Sequence, residues 1–180
     1  MANFIYNNIG IAGLAAAVPK HIYRNLTDNK NFTEEDAAAI VDKTGILERR
    51  VADADTCASD LCYTAAEQLI SEMGIDRNEI DVLIFVSQTP DFRMPATGII
   101  LQHRLNLPKS CLAFDVNLGC SGFVIGLNMA YSLLQQESIR KVLLLNGETR
   151  TKVYSFKDRQ TGFLFGDAGT ACLVDKNDKY

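Results

Sequence analysis

The chain has 180 residues, of which 47% are hydrophobic and 22% are charged, as is typical of a single globular domain. Its formal net charge of -4 argues against a nucleic-acid partner, and no apolar run is long enough to cross a bilayer as a helix. The five cysteines form no C-x-x-C pair and only two histidines are present, so we expect no metal site. An odd number of cysteines without framework spacing is typical of a reducing compartment, and we predict a cytoplasmic protein without a membrane partner.

Apolar runs between turn residues predict buried strands, and apolar residues at helical spacing predict helices. In chain order, the predicted strands are residues 4–18, 82–87, 111–116, 141–146 and 170–174. The predicted helices are residues 33–43, a helix that begins at Thr56 or Ser59 and ends at Met73, residues 96–105 and residues 123–136. Thr33 is the expected N-cap of the first helix and Gly45 its expected end.

Strands that alternate with helices indicate an α/β fold in one domain, residues 1–180. We expect a mainly parallel mixed sheet whose faces are covered by helices. Around residues 166–169 the glycine-rich sequence predicts the turn of an antiparallel hairpin at the edge of the sheet.

Residues 111–136 carry the strongest functional signal. An apolar strand is followed by the connection Asn117-Leu-Gly-Cys-Ser-Gly122 and then by a helix with apolar residues on most sides, which predicts a buried helix. Cys120 would lie at the start of that helix, where backbone N–H groups and the helix dipole favour a thiolate. This placement indicates a cysteine nucleophile, although a structural cysteine is also consistent with the pattern.

Three segments together resemble the thiolase-like condensing enzymes, and among them 3-oxoacyl-acyl-carrier-protein synthase III. They are Thr44-Gly-Ile-Leu-Glu-Arg-Arg50, then Ala113-Phe-Asp-Val116 with Gly119-Cys-Ser-Gly-Phe123, and finally Phe165-Gly-Asp-Ala-Gly169. The resemblance spans most of the chain and implies the N-terminal half of a thiolase-like fold, in which two such halves stack around paired buried helices. We therefore expect the C-terminal half to lie outside these 180 residues.

The resemblance also implies roles for individual residues. Cys120 matches the nucleophile that carries the acyl group as a thioester, with its own N–H as an oxyanion donor. Lys43 and Arg159 match positions beside the nucleotide of coenzyme A, and Ala39 stands where many members have an adenine-stacking Trp. Met94 matches a position at which the family places an aromatic residue in the acyl pocket of the neighbouring subunit. Surface charge for the two cations and interface packing for Met94 are the alternatives.

The implied activity is that of an acyltransferase in fatty-acid or related lipid biosynthesis. It would load an acyl group from acyl-CoA on Cys120 and condense it with malonyl-acyl carrier protein to give a 3-oxoacyl product, without a cofactor and as a homodimer. The family's decarboxylating His and Asn belong to its second half, so we expect no condensation by this half-chain. Neither His21 nor His103 occurs in a setting like the family's histidine motifs. Alternatives are a non-catalytic partner subunit of a homologous enzyme and a specialised secondary-metabolite ketosynthase.

Overall fold

The structure, a computed structural model, describes residues 3–177. The strands of this part of the chain are β1 (Ile9–Ala17), β2 (Ile22–Arg24), β3 (Glu48–Arg50), β4 (Ile80–Val86), β5 (Leu112–Val116), β6 (Lys141–Thr149) and β7 (Asp167–Lys176). Its helices are α1 (Glu34–Thr44), α2 (Ala58–Met73), α3 (Thr97–Arg104), α4 (Gly122–Leu134) and two single 3-10 turns, Arg77–Glu79 and Arg150–Lys152.

The main sheet has five strands in the order β1-β7-β6-β4-β5. Strand β4 pairs in parallel with both β5 and β6, whereas β7 lies antiparallel between β1 and β6. Four strands therefore share one direction and only β7 is reversed, which confirms the mixed, mostly parallel α/β sheet. The short strands β2 and β3 form a separate antiparallel pair.

The predicted edge hairpin at residues 166–169 is wrong. Strand β7 begins at Asp167, and it lies inside the sheet rather than at its edge. Gly169 serves close packing instead of a turn, since a Cβ there would lie 2.4 Å from the carbonyl carbon of Leu61 and 2.4 Å from the nitrogen of Cys62. The glycine lets the backbone of α2 approach β7 directly.

The sheet separates two apolar cores. Helices α2 and α3 cover one face, where the central strands contribute Leu83, Phe85, Leu143 and Leu145. Helix α4 covers the opposite face, over the alternate side chains of β4 and β6. Because both faces of these strands are buried, their sequences are continuous apolar runs.

The ends of α1 agree with their sequence signals. The Thr33 hydroxyl accepts a hydrogen bond from the backbone N–H of Asp36 at 3.2 Å, which is an ordinary N-cap. Gly45 ends the helix with a φ of 70°, a left-handed conformation that favours glycine.

Helix α4, predicted to be buried from its apolar spacing, is covered by the sheet on one face and open on the other. Small residues spaced four apart, Gly122, Gly126 and Ala130, face the sheet. A Cβ on Gly126 would lie 2.8 Å from Cδ1 of Leu144, so the helix sits very close to the strands. Its other face is apolar but open, and the side chain of Val124 is 64% exposed.

Candidate active site

Cys120 lies in the turn between β5 and α4, two residues before the helix begins at Gly122. This is the carboxyl-terminal edge of the parallel strands, where open α/β sheets usually bind their ligands. The N-cap, Ser121, makes no side-chain hydrogen bond to the first turn of α4. The first turn of α4 and its positive dipole end thus follow directly after Cys120, where backbone donors and the dipole favour an oxyanion.

Glycines on both sides of Cys120 pack this turn against the end of β4. A Cβ on Gly119 would lie 3.0 Å from Oε1 of Gln88, and one on Gly122 would lie 2.7 Å from Cγ1 of Val86. Neither site has room for a side chain without movement of its neighbour. These two glycines therefore seat the turn against the end of β4 and the residues that follow it.

Cys120 differs from the other four cysteines in accessibility. It is exposed, whereas Cys62, Cys111 and Cys172 are buried and Cys57 is half-buried. Burial raises the pKa of Cys62 to about 12 and those of Cys111 and Cys172 to about 11, because a thiolate is poorly solvated in an apolar core. Among these five thiols, Cys120 has the setting of a reactive group.

Asp115, in the sequence Ala113-Phe-Asp-Val116, has a structural role that the sequence alone did not indicate. Its carboxylate accepts hydrogen bonds from the backbone N–H groups of Thr97 at 2.8 Å and Gly98 at 2.6 Å. Strand β5 therefore supplies the N-terminal cap of α3 from a distant part of the chain. This contact fixes α3 relative to the strand that leads to Cys120.

A groove of about 600 Å³ runs beside α4 on its side of the sheet. Its lining is mainly apolar and comes from β1, α4, β6 and β7, with the residues Leu14, Ala15, Ala16, Phe123, Asn146, Gly147, Glu148, Gly166, Ala168 and Thr170. Phe123, three residues after Cys120, places the groove next to the start of the helix. Glu148 is its charged group and was not singled out from the sequence.

The structure brings the sequence-predicted positions Lys43 and Arg159 together. Both line a hollow of about 340 Å³ that also contains Ala39, so the last turn of α1 faces the segment before β7. Arg159 forms an ion pair with Asp36 at 2.9 Å. Since both cations are exposed, each is accessible to an anionic ligand.

Met94 lies apart from these groups, in the loop that precedes α3. Its side chain is 90% exposed, which is unusual for an apolar residue of this size. Next to it, Phe92 and Arg93 line a separate hollow of about 690 Å³ that also includes Asp115 and Asn117.

The two histidines do not join Cys120. His21 lines a hollow with Tyr23 and Asp28, and His103 lines another at the end of α3. Within residues 3–177 no group of three His, Cys, Asp or Glu side chains is arranged to hold a metal ion. Nor does any helix in that range have the length and apolar character needed to cross a membrane.

The mixed sheet and the exposed cysteine at a helix start agree with the thiolase-like fold expected from the sequence. Comparisons of the chain with known proteins give a more specific similarity. The family model of 3-oxoacyl-[acyl-carrier-protein (ACP)] synthase III matches residues 114–180. A beta-ketoacyl-[acyl-carrier-protein] synthase III from Syntrophomonas wolfei is 34% identical over 168 residues, which are 93% of this chain and 50% of the relative.

Two further matches agree. The beta-ketoacyl-[acyl-carrier-protein] synthase III 2 of Staphylococcus epidermidis is 36% identical over 158 residues, 88% of this chain and 48% of the relative. The crystal structure of a 3-oxoacyl-(acyl-carrier protein) synthase from Burkholderia xenovorans superposes with a TM-score of 0.93 at 42% identity, covering 96% of this chain and 49% of that one. The chain thus spans about half the length of the curated relatives it matches. These findings confirm the resemblance to the N-terminal half of a 3-oxoacyl-acyl-carrier-protein synthase III.

Proposed function

We propose that this chain is the N-terminal half of an acyltransferase of the 3-oxoacyl-acyl-carrier-protein synthase III type, with Cys120 as the nucleophile. The observation that carries the proposal is the exposed Cys120 at the start of α4, at the carboxyl-terminal edge of the parallel strands. The synthase III relatives and structures support the same assignment. The setting suits thiolate chemistry, and the reaction needs no cofactor.

The proposed first step is acyl transfer from acyl-CoA. The Cys120 thiolate attacks the thioester carbonyl carbon, a new S–C bond forms, and the bond to coenzyme A breaks as its thiolate leaves. Negative charge develops on the carbonyl oxygen during the attack. The N–H of Cys120 and the dipole of α4 stabilise this charge, since backbone donors at a helix start are already oriented.

The proposed second step joins the acyl group to malonyl-acyl carrier protein. Loss of carbon dioxide from the malonyl unit leaves a carbanion, which attacks the Cys120 thioester and releases the 3-oxoacyl carrier protein. His21 and His103 line hollows that do not include the Cys120 turn. In this proposal the decarboxylating His and Asn come from a C-terminal half, and residues 1–180 alone form no carbon–carbon bond.

Lys43 and Arg159 are proposed to bind the phosphates of coenzyme A or of the carrier-protein arm. They share one hollow, and two exposed cations there provide electrostatic attraction to an anionic nucleotide. Ala39 in the same hollow supplies no aromatic surface for adenine. Met94, which is almost fully exposed, is proposed to enter the acyl pocket of the second subunit of a cytoplasmic homodimer. A flexible methionine there would adapt to the shape of the acyl chain.

Mass spectrometry of the acylated protein tests the proposal. Full-length protein is incubated with acyl-CoAs of increasing chain length, and peptide mapping locates the added mass. We expect a single acyl group on Cys120, which is absent from the Cys120→Ser variant. Malonyl-acyl carrier protein should then discharge it as a 3-oxoacyl product in the full-length protein but not in residues 1–180. Acylation at another residue, or none with any acyl-CoA, would refute the nucleophile assignment.

A further inference from the structure

The carboxylate of Glu148, near the end of β6, uses both of its oxygens to hold the segment that follows β4. Oε1 accepts a hydrogen bond from the backbone N–H of Gln88 at 2.7 Å, and Oε2 accepts one from the hydroxyl of Thr89 at 2.7 Å. Hydrogen bonds to a carboxylate are about twice as strong as neutral ones. Glu148 is half-buried, so water competes only partly for these bonds.

The hydrogen bonds of the Thr89 hydroxyl fix which of its partners receives its proton. The hydroxyl accepts a hydrogen bond from the backbone N–H of Thr149 at 2.9 Å, which leaves its own hydrogen for the carboxylate of Glu148. The end of β6 therefore holds residues 88–89 through a side chain and through its backbone. A change at Glu148 removes two of these three bonds.

Gln88 in this segment and the end of β4 together support the turn that carries Cys120. Gln88 packs against the Cα of Gly119, and Val86 packs against Gly122. A second link comes from the N–H of Ser87, which donates to the carbonyl of Val116 at 3.2 Å. The backbone on both sides of Cys120 therefore rests on residues 86–88, and Gln88 is the residue among them that Glu148 holds.

We propose that Glu148 is a positioning residue for the nucleophile: by holding residues 88–89, it fixes the orientation of the Cys120 backbone N–H toward a developing oxyanion. The inference rests on the proposed nucleophile role of Cys120. Its physical basis is that stabilisation of an oxyanion requires donors at hydrogen-bond distance from where the charge develops. An error of about 1 Å in such a group can cost two orders of magnitude in rate.

Two reagents separate positioning from general reactivity. Iodoacetamide alkylates a thiolate by displacement of iodide and develops no oxyanion. With p-nitrophenyl acetate, the Cys120 thiol gives its proton to solvent and attacks the carbonyl carbon; an S–C bond forms, and p-nitrophenolate leaves with the electron pair of the broken C–O bond. Only the second reaction passes through an oxyanion. Since this ester carries neither coenzyme A nor carrier protein, its outcome does not depend on the proposed physiological donor.

The test measures both rates at Cys120 of the 180-residue chain by peptide mapping and nitrophenolate release. In Glu148→Ala we expect ester cleavage to fall about tenfold or more while alkylation changes less than about threefold. Glu148→Gln keeps one acceptor oxygen and should recover most of the ester rate. The matched control is Glu79→Ala, which removes a carboxylate paired with Lys141 at the opposite end of β6 and should change neither rate.

Thr89→Val provides a second route if the alanine variant does not fold, because it keeps the shape of the side chain and removes only the hydroxyl. It should reproduce the selective loss of ester cleavage. Equal loss of both rates would indicate a general structural role and overturn the proposal. An unchanged ester rate, or a wild-type protein whose Cys120 reacts with iodoacetamide but not with the ester, would also overturn it.

Discussion

Removal of the Asp115 carboxylate should destabilise the fold by about 2–4 kcal/mol, because two backbone donors at the start of α3 lose their acceptor. Thr97 and Gly98 are both buried, and their N–H groups donate to Asp115 at 2.8 and 2.6 Å. An unsatisfied buried donor costs about 1–3 kcal/mol, and part-burial of Asp115 lets water recover some of this loss. The total for Asp115→Ala therefore lies below the sum of two full penalties.

Urea unfolding followed by far-UV circular dichroism measures this loss. With an m-value of about 2 kcal/mol per molar, the midpoint should fall by about 1–2 M. Hydrogen exchange at the amides of Thr97 and Gly98 should accelerate, since those groups lose their acceptor. Glu79→Ala is the control, because it removes one negative charge from a partly exposed carboxylate that pairs with the side chain of Lys141, and it should cost at most about 1 kcal/mol. A midpoint shift no larger than that of the control, with exchange unchanged, would refute the capping argument.

Two further predictions follow from burial and from the open sheet edge. Burial raises the pKa of Cys172 from 9.0 to about 11 and keeps reagents from the thiol, so native protein at pH 8 should be alkylated there at no more than about one thousandth of the rate of an accessible, fully ionised thiol, with the rate rising about tenfold per pH unit up to about 11. The pKa of Cys172 is higher in the folded than in the unfolded protein, so the protonated thiol favours the folded state. This contribution to stability is complete below about pH 9 and is lost as the pH rises toward 11. Fast labelling of native protein at pH 8 would contradict the predicted slow alkylation. Strand β5 is an edge strand of the sheet and its Leu112 is 50% exposed, so we expect this edge to join two subunits. Full-length protein should then sediment as a dimer and the Leu112→Lys variant as a monomer. Identical masses for the two proteins would count against this interface.

Local signals in the sequence were sufficient for the five strands of the main sheet, for helices α1 to α4 and for the turn that carries Cys120, but not for the short strands β2 and β3. The N-cap at Thr33, the left-handed Gly45 and the apolar runs depend on interactions within a few residues, so they are visible without a tertiary structure. The same holds for the position of Cys120 between a strand and a helix. The glycines beside it require a close approach whatever strand lies beneath them, although the sequence does not name Val86 and Gln88 as the residues approached.

Contacts between distant parts of the chain were decided only by the tertiary structure. The interior position of β7 depends on pairing with β1 and β6, which no local pattern encodes, and Gly169 looked like a turn although it serves the approach of α2. The carboxylates of Asp115 and Glu148 accept hydrogen bonds from donors 17 and 60 residues away, so no local sequence pattern indicates these bonds. The exposure of one face of α4 also depends on tertiary contacts. The spacing of its apolar residues predicts an apolar helix surface, but only the packing of the whole chain decides which part of that surface is buried.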